Sequence, residues 1–359
     1  MFFFIILALL RLPFSGAIHH MQRRAPAWVN PRDAVRFLRV SNRCSDDISP
    51  AIQTQAGFGP AVHGFRLPAG ESRLLNVSAD WQGRVWGRTN CSFPGVKGTP
   101  FRSLGLRGKE EKRDGRACWT GDCGGLLDCK GSGQPPATLA EFTLESESRQ
   151  TFYDISLVDG YNVAMGIIAL LDYPNNTSAS QSILPNQTNP VCIGSPHFLA
   201  RNDDFHMDSD FANATSPTAD PKSKQSKSQP HLLPLERSQS LKTVRRWCPW
   251  DLQLQPPEKP GYGIYPYPDD HIERPLFNPC YSACAKDNKP EHCCAGKYNS
   301  PKKCRPNFYS EKAKKICPDA YSYAYDDETS TFAIPSGSGF EVVFCPMGRS
   351  SDILDHLRK

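Results

Sequence analysis

Residues 280–317 read CYSACAKDNKPEHCCAGKYNSPKKCRPNFYSEKAKKIC and hold six of the chain's fourteen cysteines. Between the cysteines lie Lys, Asn, Pro, Asp and Gly, with few large apolar side chains. A stretch of this composition cannot bury enough surface to hold itself by packing, so covalent cross-links must do it. Cys284, His292, Cys293 and Cys294 raise the question of zinc. Structural zinc sites take their ligands in two spaced pairs, which the adjacent Cys293 and Cys294 do not supply. Disulfides are therefore expected, and the sequence by itself leaves their pairing open. No metal or cofactor is expected, and the nine histidines are scattered.

Cross-links on this scale imply an oxidising compartment. Residues 2–10 (FFFIILALL) form a short apolar run followed by small residues at Ser15, Gly16 and Ala17. Such a run matches a signal-peptide core and falls short of the roughly 20 apolar residues that span a bilayer. A leader over about residues 1–20 and an extracellular, apoplastic or vacuolar location are the expectation, with no stable membrane span. The tail at residues 347–359 is charged, unlike a lipid-anchor signal. In that compartment the sequons at Asn76, Asn175, Asn176, Asn186 and Asn213 become usable. Asn90-Cys91-Ser92 also matches, but a bridged Cys91 would crowd it.

The 26 glycines and 32 prolines favour turns over long helices. Net charge is +5, and residues 102–116 and 206–247 each carry +3 of it. Both stretches read as poorly folded, so no nucleic-acid partner is expected. A single domain is expected over residues 34–346, with insertions at about 97–116 and 203–245 that read as disordered. Residues 35–40 and 71–77 suit short strands, and residues 81–89 place Arg84, Trp86 and Arg88 on one face with Val85 on the other. Residues 138–144 alternate cleanly: Ala140, Phe142 and Leu144 face inward, which leaves Glu141 on the opposite face. Asp154 and Asp159 would face opposite ways on one straight strand, so a shared site needs a bend near Asp159-Gly160. Strands at this spacing, with Gly, Pro and Asn between them, argue a mainly β sandwich or barrel.

Six motifs point further: GRVW with RTNC (83–91), ACWTGDCGG (117–125), PATLAEFTL (136–144), FYDISLVDGYNVAM (152–165), CC with its following cysteine (293–304) and CPDAYSYAYDDETSTF (317–332). Together they resemble the thaumatin-like proteins, the osmotin family of plant defence proteins. The resemblance implies a sandwich of two antiparallel β-sheets, a disulfide-rich second domain with a helix, and a small cross-linked third domain. It also implies the bridges Cys44–Cys345, Cys91–Cys118, Cys123–Cys129, Cys192–Cys317, Cys248–Cys280, Cys284–Cys293 and Cys294–Cys304. The family has sixteen cysteines and this chain fourteen, so one bridge is missing with both of its partners.

The same resemblance implies an acidic cleft of one arginine and four acids. Arg84, Glu141, Asp154 and Asp159 match it motif by motif, and Asp326 is favoured for the fifth place over Asp319 or Asp327. Clustered carboxylates raise one another's pKa, so such a cleft can hold a proton at neutral pH. The resemblance implies binding of β-1,3-glucan of fungal cell walls; Phe152, Tyr153 or Tyr161 would give a sugar ring an apolar face, and a monomer is the default expectation. The alternatives are a weak endo-β-1,3-glucanase, with Glu141, Asp154 and Asp159 as its catalytic set, and a protein-interaction module or inhibitor.

Overall fold

The computed structural model describes residues 35–93, 115–146, 148–170, 188–194, 247–256 and 279–346. The leader, the second insertion and the C-terminal tail lie outside the described residues, as does the first insertion up to residue 114.

Two five-stranded sheets face each other. The first orders its strands β3 (Ser72–Ser78), β1 (Val35–Asn42), β10 (Gly339–Phe344), β7 (Met165–Leu170) and β8 (Val191–Cys192). The second orders β2 (Ser49–Ala56), β4 (Gln82–Arg88), β5 (Leu139–Thr143), β6 (Gln150–Ser156) and β9 (Phe332–Pro335). The second sheet is antiparallel throughout. The first departs from the expectation of two antiparallel sheets, because β1 and β10 run parallel. A parallel pair needs a long crossover, and nearly the whole chain separates these two strands.

The sheets meet because alternate residues on each strand are apolar. Ala140 and Phe142 on β5 point inward as expected, toward Leu38 and Val40 of β1 and Phe340 and Val342 of β10. Phe142 and Phe340 pack edge to face at 5.3 Å, and Tyr153 stands 4.8 Å from Phe340. Such aromatic contacts add about 0.5–1.5 kcal/mol each beyond simple burial.

Residues 279–317 form a lobe beside this sandwich, carrying helices α1 (Ala283–Asp287) and α2 (Phe308–Ile316). Asn307 caps α2 by accepting from the N–H groups of Tyr309 and Ser310 at 3.0 Å. Tyr309, Ala313 and Ile316 then fall on one buried stripe. Cys284–Cys293 and Cys294–Cys304 close loops within the lobe, while Cys248–Cys280 and Cys192–Cys317 fasten its two ends. Cys44–Cys345, Cys91–Cys118 and Cys123–Cys129 link the sandwich strands and their loops, and no described cysteine is free. The lobe holds nine Lys and Arg against three Asp and Glu. Positive charge is thus not confined to the two stretches read as unfolded. Among the described residues, no helix is long and apolar enough to cross a membrane.

Candidate functional site

The register of the second sheet sets four polar side chains in one row: Gln53 opposite Arg84, Arg84 opposite Glu141, and Glu141 opposite Asp154. Directly opposed residues on one face have Cβ atoms about 4.5–5.5 Å apart. Toward one end of the strands the adjoining row is Ala51, Trp86, Leu139 and Ser156. Ala51, Trp86 and Leu139 pack with Ala137, Cys123 and Cys129, so the disulfide-closed loop covers that end. Toward the other end lie Gln82, Thr143, Phe152 and Ala333.

Arg84 is only 8% exposed and is held from the β2 side. Its Nε donates to Gln53 Oε1 at 2.9 Å and one Nη donates to Ser132 Oγ at 3.0 Å. Ser132 also donates to Gln53 Oε1, closing a small network. The other Nη lies 3.9 Å from Glu141 Oε1, an ion pair too long for a hydrogen bond. Gln53 and Ser132 are absent from the sequence-based set. Nothing in their local pattern marks them, since only the β2–β4 register and the fold of the disulfide loop bring them to Arg84.

Glu141 is 2% exposed. Burial pushes its carboxyl up to about 7, opposed by Arg84 and assisted by Asp159. Asp154 is half-buried. Burial drives its carboxyl well above the usual range, and the neighbouring Glu141 and Asp327 add to the rise. Its Oδ1 is buried with no hydrogen-bond partner among the described residues. Asp159 is also raised by burial, with Arg84 pulling the other way.

The bend that a shared site needs is present. β6 ends at Ser156, and the N–H of Gly160 donates back to the carbonyl of Leu157 at 2.9 Å. Gly160 has φ +104°, and a Cβ there would meet the Cys280 carbonyl at 2.4 Å. Only glycine fits, because both the backbone region and the space exclude a side chain. The turn brings Asp159 within electrostatic reach of Arg84 and Glu141.

Of the three acids weighed for the fifth place, Asp326 and Asp319 have partners away from Asp154. Asp326 Oδ2 pairs with Lys314 at 3.1 Å and accepts from the N–H and hydroxyl of Ser322 at 3.0 and 2.9 Å. Asp319 accepts from the N–H of Val191, at the edge of the other sheet. Asp327 is the acid that acts on Asp154. Tyr321 bridges the two: its hydroxyl donates to Asp327 Oδ1 at 2.7 Å and contacts Thr331, and its backbone pairs with Ile155 and Leu157 at the end of β6. Adjacent Asp residues point to different sides of a turn, and sequence does not reveal which side faces the row.

Two of the three aromatic platforms are also excluded. Tyr153 lies in the core against Phe142 and Phe340, and Tyr161 packs edge-on against Trp247 at 5.7 Å. Both are 1% exposed and cannot meet a sugar ring. Phe152 faces the same side of β6 as Asp154 and is half-buried, so it alone of the three can do so.

Chemically, the row is a guanidinium beside carboxyls whose hold on a proton is strengthened by burial. Protonated carboxyls donate hydrogen bonds and ionised ones accept them, which suits a ligand rich in hydroxyls. General acid–base catalysis would further require the acid to reach the reacting oxygen. Glu141 lies beneath the surface, while Asp154, Asp159 and Asp327 are half-buried. Among the described residues, no cluster of His, Cys, Asp and Glu is arranged to hold a metal.

A family model described as "Thaumatin family" matches residues 42–346. A thaumatin-like protein of Arabidopsis thaliana is 33% identical over 311 residues, covering 86% of this chain and 89% of that protein. Pathogenesis-related protein 5 of Arabidopsis thaliana is 34% identical over 295 residues, covering 82% of this chain and 84% of that protein. Among solved structures, the thaumatin-like xylanase inhibitor TLXI is 30% identical, with a TM-score of 0.27, over 37% of this chain and 75% of that one. The family match takes in the lobe, every residue of the acidic row and every strand except β1, of which it covers only Asn42, and the chain belongs to the thaumatin family.

Proposed function

We propose that this protein is a secreted plant defence protein that binds β-1,3-glucan of fungal cell walls in the acidic cleft, and that its antifungal action follows from that binding. The observation that carries the reading is the Gln53–Arg84–Glu141–Asp154 row, flanked on the open side by Phe152. Asp154 and Asp159 would meet sugar hydroxyls, Glu141 would tune Asp154 from below, and Phe152 would offer a ring face. Secretion rests on the apolar leader and on the number of disulfides.

The test is co-sedimentation of the oxidised protein with insoluble β-1,3-glucan, with cellulose as the control. Selective pelleting that weakens at least tenfold in Asp154→Asn is the expected result. A folded protein that stays in the supernatant with both polysaccharides would overturn the reading. Cleavage is a second reading, favoured by the Glu141 carboxyl near 7 and opposed by its burial. Release of reducing sugar by the wild type, lost in Glu141→Gln, would establish it.

A further inference from the structure

We infer that Asn76 carries an N-linked glycan that covers the open edge of the first sheet. The inference rests on the secretory reading above and is independent of the cleft. Asn76-Val77-Ser78 is a sequon at the end of β3. On this strand Leu75 and Val77 are buried toward the core, while Leu74 and Asn76 face out and are exposed. Among the described residues β3 is an edge strand, paired with β1 alone. Leu74 is 49% exposed, two residues from Asn76 on the same face. An edge strand with an exposed apolar side chain is a template for pairing with another chain, and natural edges are blunted in some way. A bulky hydrophilic glycan one pleat from Leu74 would do this.

The second sequon within the described residues makes a contrast. Asn90 is half-buried in a left-handed conformation with φ 49°, and its middle residue, Cys91, is bonded to Cys118. Asn76 has neither constraint. The transfer joins Asn76 Nδ2 to the anomeric carbon of a lipid-pyrophosphate-linked oligosaccharide. The C–O bond to the pyrophosphate breaks, the lipid pyrophosphate leaves with the bonding electrons, and the amide nitrogen loses a proton. In the folded chain the Ser78 hydroxyl is occupied. It accepts from the N–H of Phe58 at 2.8 Å and donates to Asp80 Oδ1 at 2.5 Å. The sequon is therefore open to the transferase before β3 closes against this turn. Asn76 belongs to the first sheet and the acidic row to the far face of the second, with stacked sheets about 10 Å apart. The glycan would leave the cleft open.

The test is peptide mapping by mass spectrometry of the full chain expressed in plant leaf cells, before and after peptide-N-glycosidase treatment. The expected result is extracellular protein with Asn76 glycosylated and Asn90 bare. Asn76→Gln should lose the mass of one glycan, bind β-1,3-glucan as the wild type does, and form oligomers sooner on heating. Extracellular protein with Asn76 bare would overturn this inference and leave the secretory reading standing. Protein retained in the cytosol would overturn both. An Asn76→Gln variant that stays monomeric as long as the glycosylated protein would remove the shielding role.

Discussion

Glu141 and Arg88 are both buried charged residues on the second sheet, and they are handled in opposite ways. The Glu141 carboxyl sits at about 7, against 4.5 in an exposed chain. The folded state thus binds this proton more tightly than the unfolded state does. Its contribution is whole below about pH 4.5 and is lost as pH rises through 7. By linkage the loss is about 3 kcal/mol. Glu141→Gln mimics the protonated form, so the variant should match the wild type near pH 4 and exceed it in stability by about 3 kcal/mol at pH 8. Chemical denaturation across that range measures it, and parallel curves would show that Glu141 does not titrate as described. Arg88 instead stays charged, although burial lowers its pKa to about 10. It donates to the carbonyls of Ser49, Pro50, Leu126 and Leu127, which ties the disulfide loop to β2. Lysine has neither the fork nor the reach for four diverging carbonyls. Arg88→Lys should cost roughly 2–4 kcal/mol in thermal unfolding while leaving the cleft acids in place. The alternation of residues 81–89 shows that Arg84, Trp86 and Arg88 share a face. It does not show that one arginine holds the site and the other a loop, because that depends on which carbonyls converge from 39 residues further along the chain.

At the scale of elements, legibility followed burial pattern. β5 has one face on the core and one on the site, so its alternation is visible. β7 and β10 are covered on both faces, and a run such as Met165–Leu170 loses its period and reads only as apolar. β2 contains Pro50 and two glutamines, which read as loop, yet among the described residues it is the last strand of its sheet, met on its outer side only by isolated bridges to Gly64 and Leu67, and proline is tolerated there. The missed strand is the one that supplies Gln53. The other wall of the site depends on α2. Lys314 Nζ reaches Asp326 at 3.1 Å, the Ala320 carbonyl at 3.1 Å and Ser330 Oγ at 2.7 Å. Residues 320–330 are thereby pinned between α2 and β6, and the short helix α3 (Asp327–Ser330) begins with the acid that raises Asp154. Lys314→Met should release this segment. Amide exchange at Ser322 and Asp326 should quicken at least tenfold, and the Asp154 titration should move down as Asp327 withdraws. Unchanged exchange would mean that the Tyr321 pairing to β6 holds the segment alone.

For the whole molecule, the bridges rank by how much chain each one closes. Spacing alone left the pairings open; the family motifs implied them, and the structure joins the same partners. Cys44–Cys345 fastens the end of β1 to the end of β10 across 301 residues. The other bridges shorten that path, so its effective loop is roughly 140 residues, worth about 5 kcal/mol of denatured-state entropy. Cys123–Cys129 spans six residues and is worth about 2 kcal/mol on the same account. Strand pairing is not a substitute for the longer clasp. β1 and β10 are parallel neighbours, brought together only after nearly the whole chain has crossed between them. Cys44→Ser with Cys345→Ser should therefore lower stability by more than twice as much as Cys123→Ser with Cys129→Ser. It should also slow refolding, because closing the first sheet would become a search over the full chain. Limited proteolysis of the first variant should cut near residue 35 or residue 346 before any site in the second sheet. Equal losses from the two variants would mean that native packing, rather than loop closure, sets the worth of each bridge.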